Sequence, residues 1–148
     1  MTRVSLQTFT RYNFKRQMVL TKEILDALSL EAKTCERLRM NLDLRTSTAD
    51  QSQRMLNALE PGTQVPIHRH PSTCETIVML RGSIKEMLYD DKGNVTESFL
   101  LKAGTEPFAM NIPKGVWHSL ECLEPGTILF EAKDGAFEPR REEDILNL

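Results

Sequence analysis

The hydrophobic period of the chain changes near residue 50, and that change limits the folds open to it. From there on, apolar and polar residues alternate in short runs closed by glycine or a Pro-Gly turn. The runs are "SQRMLNALEPG", "TIVMLRGSIKEMLYD" bent at Gly82, "VTESFLLKAG", "PFAMNIPKG", "WHSLECLEPG" and "TILFEAKDG". "DDKGN" between two of them has the residues of a hairpin turn. Many short strands with regular turns and no intervening helix predict an antiparallel sandwich or barrel.

The first fifty residues read differently. "TKEILDALSLEAKTCERLRM" (21–40) has helical spacing of Ile24, Leu25, Leu28, Ala32, Cys35 and Leu38. Thr21 is placed to cap it and Glu23 falls in the first turn, while Ser29 is a point where the helix could divide in two. "NLDLRTSTAD" predicts an extended connection, and the closing "FEPRREEDILNL" a charged surface tail.

Composition removes several classes of function. With 148 residues, 40% of them apolar, the chain can build one sizeable core. A net charge of −2 gives no basic surplus for nucleic acid, and no apolar run is long enough to span a bilayer. Arg3, Arg11, Lys15, Arg16 and Lys22 precede the first acidic residue, Glu23. That bias fits either a basic arm or an organellar transit peptide. The three cysteines, Cys35, Cys74 and Cys122, contain no C-x-x-C pair, so reduced thiols and a cytoplasmic location are expected.

The chemistry concentrates in "GTQVPIHRHPSTCETIVMLRG" (62–82). On a strand, His68 and His70 project to one face, and after the "PST" turn Glu75 can return beside them. A third histidine, His118, follows the "PKGVW" turn, and these three are all the histidines in the chain. Imidazoles with a carboxylate suit Fe(II), Mn(II), Ni(II) or Zn(II), and four such ligands leave octahedral positions open to water or substrate. The expectation is therefore one divalent transition-metal ion held by His68, His70, Glu75 and His118, with Glu75 also a candidate base.

Arg54 and Asn57 are candidates to line the mouth, with Arg54 either meeting an anionic substrate or being an ordinary exposed arginine. Met79 shares the parity of Glu75 and is a candidate cavity wall. Cys122 shares the face of His118 and reads as a further ligand, a reactive thiol or a small buried residue. Cys74 and Trp117 alternate away from the site and read as packing, Trp117 also as a subunit contact.

Gly62, His68, His70, Glu75 and Gly82 match the first cupin motif, and Pro113, Gly115 and His118 match the core of the second. Eight residues separate Gly104 from Pro113, a longer interval than the motif has, and Cys122 stands where an asparagine is usual. Over roughly residues 18–139, "RMLNALEPGT", "HRHP", "ETIVMLRGSIKEMLYDDKGNVTE" and "IPKGVWHSLECLEPGTILFEAKDGAFEP" resemble the WbuC-type cupin metalloproteins of bacterial polysaccharide (O-antigen) gene clusters. The resemblance implies a mainly β chain: a cupin double-stranded β-helix, or jelly-roll barrel, with an N-terminal helical segment. With the change of period near residue 50, the chain is expected to divide into residues 1–50 as arm and helical segment packed on the barrel, 51–139 as the barrel and 140–148 as tail, residues 1–17 lying outside the resemblance. The resemblance also implies a His/His/Glu/His metal site and a homodimer.

Three functions follow as alternatives. One is a metal-dependent isomerase, epimerase, lyase or dioxygenase acting on a small sugar-derived or organic-acid molecule in surface polysaccharide metabolism. Another is a non-catalytic, metal-assisted small-molecule or carbohydrate-binding module. The weakest is metal-free sugar isomerisation by a histidine pair, which has no use for a complete ligand set.

Overall fold

The computed structural model describes residues 18–148; the basic segment 1–17 lies outside the described residues. One helix, α1 (Lys22–Thr34), precedes the strands β1 (Arg39–Asp43), β2 (Ser52–Leu59), β3 (Ile67–His68), β4 (Glu75–Arg81) and β5 (Ser83–Tyr89). These are followed by β6 (Val95–Lys102), β7 (Ala109–Ile112), β8 (Trp117–Cys122), β9 (Thr127–Asp134) and β10 (Ile145–Leu146). The strands form two five-stranded sheets, in the orders β1-β2-β9-β4-β7 and β10-β3-β8-β5-β6, and all pairings are antiparallel. This is the antiparallel barrel expected from the alternating runs, in the cupin jelly-roll form that the motif resemblance implies. No helix among the described residues is long and apolar enough to cross a membrane.

Thr21 caps α1 by accepting from the Ile24 N–H at 3.4 Å. The helix passes Ser29 unbroken but stops at Thr34, well short of residue 40. Leu38 takes a left-handed φ of 55°, turning the chain back, and Arg39–Asp43 pairs with Asp43 opposite Met55 and Arg39 opposite Leu59. The apolar positions Met40 and Leu42 therefore serve a strand period, and sheet pairing overrides local helical preference.

The C-terminus also departs from expectation, since β10 pairs with β3 and Asp144 is 3% exposed. The Asp144 carboxylate accepts from Arg69 Nε at 2.9 Å, and its carbonyl accepts from the Arg69 N–H at 3.1 Å. The tail is a sheet edge strand that braces the segment carrying the first histidines.

Two apolar layers hold the architecture. Outside the first sheet, Leu28 and Ala32 of α1 cover Leu42, Leu56, Ala58 and Ile128. Each fully buried leucine there contributes about 1.5–3 kcal/mol. Inside the barrel, Leu59, Ile77, Met79, Ile84, Leu101, Ile112, Cys122 and Leu129 form the second cluster. Gly82, with φ 68°, carries the chain from β4 in one sheet to β5 in the other. A Cβ at Gly82 would lie 2.9 Å from Thr127 Cα, so the corner requires glycine on both counts.

Candidate metal centre

The ligand side chains come from three places in the chain. His68 ends β3 and pairs in register with His118 of β8, while Glu75 opens β4. His70 lies beyond the strand, and its carbonyl accepts from the Gly115 N–H at 2.8 Å. That bond ties the turn before β8 to the first histidine segment. One ligand atom from each of His68, His70, Glu75 and His118 lies within 4.8 Å of every other.

Their hydrogen bonds fit a metal. His68 Nδ1 is 2.8 Å from the Pro66 carbonyl and His118 Nδ1 is 2.9 Å from the Val116 carbonyl. A carbonyl oxygen can only accept, so both Nδ1 atoms carry the proton and both Nε2 atoms present lone pairs. His70 Nε2 lies 2.7 Å and His118 Nε2 3.2 Å from the same Glu75 oxygen. Yet His70 Nε2 is buried without a properly directed hydrogen bond. Donor atoms crowded around one point with orphaned lone-pair geometry are what a cation would satisfy.

The electrostatics agree. Burial, then the neighbouring His118, pushes His68 down to about 3, keeping it neutral. Burial alone would raise Glu75, but the close approach of His118 and His70 outweighs it and holds the carboxyl well below its ordinary range. The site thus offers a neutral His68 imidazole and an ionised Glu75 carboxylate, the forms in which those two groups bind metal. His68, Glu75 and His118 are buried, and the His70 side chain, 17% exposed, marks the open side.

The other sequence candidates divide. Asn57 faces the interior, where its Nδ2 bonds Glu131 Oε2 at 2.5 Å. Met79 lies in the interior apolar cluster. Cys122 lies in the same cluster, its Sγ 3.2 Å from the Glu124 carbonyl, and burial pushes its thiol up. On β8 it stands four residues from His118, about 13 Å away along the strand. Arg54 is a correction: it shares parity with Leu56 and Ala58, which pack under α1, and it pairs with Asp50 at 3.3 Å on the outer side. Arg54 and Asn57, an odd number of positions apart, cannot share a strand face. Trp117 lies on the outside of the second sheet, its Nε1 donating to Asp91 at 3.1 Å and the Arg69 guanidinium 4.5 Å over its ring.

Two interior carboxyls escaped the sequence reading. Glu131 on β9 bonds Asn57 and Lys133, the latter at 3.0 Å, and burial followed by the Glu75 charge raises it to about 7. Glu86 on β5 is 0% exposed, and neither of its oxygens has a hydrogen-bond partner among the described residues. Both share parity with core residues of their strands, Leu129 for Glu131 and Ile84 for Glu86, and strand alternation is the signal that would have found them.

The barrel and its ligand-bearing strands define a cupin fold, and solved structures share it. Oxalate decarboxylase from Bacillus subtilis is 22% identical with a TM-score of 0.54, over 74% of this chain and 27% of its own length. KdgF from Halomonas sp. is 17% identical with a TM-score of 0.52, over 71% of this chain and 83% of its own. The Bacillus oxalate decarboxylase contains Mn(II) centres. This chain therefore corresponds to about a quarter of the decarboxylase. Over residues 20–101 the chain matches the family described as domain of unknown function DUF6016, and it belongs to that family. The match takes in His68, His70 and Glu75 and ends before His118. Comparison with curated proteins gives no match.

Proposed function

We propose that the protein is a metal-dependent cupin enzyme acting on a small sugar-derived or organic-acid molecule. Nε2 of His68, His70 and His118 and a carboxylate oxygen of Glu75 would hold one divalent ion: iron, manganese, nickel or zinc. The observation that carries this is the mutual 4.8 Å approach of four ligand atoms, with the Nδ1 atoms of His68 and His118 bound to carbonyls. The Mn(II) centres of the structurally similar decarboxylase support the choice of a divalent transition metal. Such an ion, when bound, supplies Lewis acidity toward a carbonyl or hydroxyl oxygen. The barrel orients the ligands, excludes water on the deeply buried side, and leaves the His70 side for entry. Glu75 would be the ligand best placed to take a proton.

The finer assignment follows the motif resemblance: a WbuC-type cupin of surface polysaccharide metabolism, cytoplasmic and homodimeric. In this reading residues 51–139 are the barrel, 1–50 its arm and helical segment and 140–148 its tail, with β1 and β10 joining both ends to the sheets. A non-catalytic binding module is the second reading, favoured by the engagement of Glu75 with two histidines, which leaves it no free base.

Elemental analysis of protein purified without added metal tests the proposal. One divalent ion per chain is expected, lost in a His68→Ala/His70→Ala variant that keeps its circular dichroism. Wild-type protein that takes up no divalent metal would refute it. Turnover in a screen of sugar acids and nucleotide sugars separates the enzyme from the binding module.

A further inference from the structure

Glu86 is the unexplained group in the barrel. Its strand neighbours of like parity, Ile84 and Leu88, belong to or pack on the interior cluster, so Glu86 faces inward. Leu88 is the register partner of His118, and Glu86 is the partner of Leu120. The carboxyl therefore enters one layer below the metal ligands, about 7 Å deeper along the strand. Above it are the ligand side chains, and below it lies the apolar floor of Ile84, Leu101 and Cys122. Glu75 on β4 and Glu131 on β9 act on it electrostatically from the opposite sheet. A fully buried carboxyl with both oxygens unpartnered is rare in folded proteins and calls for a partner that the described residues do not supply.

We propose that Glu86 is a specificity residue of the metal site, reading the hydroxyl group that a short hydroxy acid carries at the end remote from the metal. This rests on the metal reading above and narrows its substrate class to small sugar acids. Burial, reinforced by the charges of Glu75 and Glu131, raises Glu86 to about 9, so at neutral pH it is a carboxylic acid. A carboxylic acid offers one O–H donor and one carbonyl acceptor, and an alcohol offers the matching pair. A methyl group in the same place offers neither and leaves both oxygens orphaned. A site built to hydrogen-bond a hydroxyl rejects the analogue lacking it far more strongly than an apolar pocket discriminates by size. The two layers stand about 7 Å apart along the strand, the order of span that a three-carbon acid covers together with its contacts at either end.

The test is a matched pair of probes, glycerate and lactate, which differ by that hydroxyl alone. Both are titrated into the full chain loaded with Co(II), whose visible spectrum reports ligands entering the open positions. Wild-type protein is expected to bind glycerate at least about tenfold more tightly than lactate. In Glu86→Leu the preference falls to within about twofold. In Glu86→Gln, whose amide also donates and accepts, most of it is retained. Equal affinity for the two probes in wild type, or a preference that survives in Glu86→Leu at one cobalt per chain, overturns the assignment. A chain that takes up no cobalt overturns the metal reading and this inference with it, and the metal analysis tells the two failures apart.

Discussion

The backbone N–H of Gly115 donates to the carbonyl of His70 across 2.8 Å, joining the two sequence segments that supply the histidines. Gly115 makes this bond at a φ of 78°, in the left-handed region that side chains with a Cβ adopt only at a cost of about 1–2 kcal/mol. Gly115→Val is therefore expected to shift both His70 and His118. Metal affinity should fall about 10–100-fold, as for lost supporting contacts in other metal sites. Because a Cβ at Gly115 meets nothing within 4 Å, the effect is conformational rather than a clash. Competition with a chelator of known affinity, alongside thermal unfolding of the apo-protein, measures both quantities.

Two buried groups set opposite pH limits on the metal-free protein. His68 titrates near 3 in the fold and near 6.5 when unfolded, so the unfolded chain binds the extra proton between those values. Stability from this source is complete above pH 6.5 and is lost as pH falls toward 3. Glu86 titrates near 9 in the fold and near 4.5 when unfolded, so here the folded chain binds the extra proton. Its contribution declines as pH rises from 4.5 toward 9. Glu131, raised to about 7, adds a decline of the same sign below pH 7, so Glu86→Gln should remove chiefly the decline above pH 7, which has a limiting slope of about 1.4 kcal/mol per pH unit, and should be more stable than wild type at pH 8. Urea unfolding at pH 5, 6.5 and 8 checks this, and an unchanged slope would count against the buried, proton-bearing state of Glu86.

The tail gives a third prediction. Asp144→Ala removes a buried carboxylate that Arg69 contacts at 2.9 Å, and Arg69 sits between the two histidines. The side chain of Arg69 is itself 34% exposed, so the expected stability loss is modest, about 1–2 kcal/mol. Metal affinity should drop with it, since β10 braces β3. Denaturant unfolding and chelator competition on the same variant separate the two effects.

The residues that were legible in the sequence were those obeying a single local rule. His68, His70, Glu75 and His118 stand beside turn residues whose conformation is nearly forced, so their convergence was readable. The strands from Ser52 to Asp134 were readable because alternation and turns agree. What escaped depends on contacts distant in sequence. Arg39 and Met40 have enough helical character to extend α1 on paper and residues 41–43 read only as an extended connection, and it is pairing with β2 that makes them one strand. Ile145–Leu146 is too short to register as a strand until it meets β3. Glu86 and Glu131 look like solvent-facing charges, and only the parity of their neighbours shows them turned inward. Of the two readings open to Arg54, parity relative to Asn57 favours the ordinary arginine, paired with Asp50.

The ligand set is split between the sheets: Glu75 opens β4 of one, and His68 and His118 lie on β3 and β8 of the other. Neither sheet by itself holds more than part of the coordination sphere. An ion bound there would act as a clasp across the seam and would have high affinity only for chains whose two halves have already closed. By mass action it would then add stability in proportion to the logarithm of its free concentration. Metal supply would thus govern how much folded protein persists as well as what it can do.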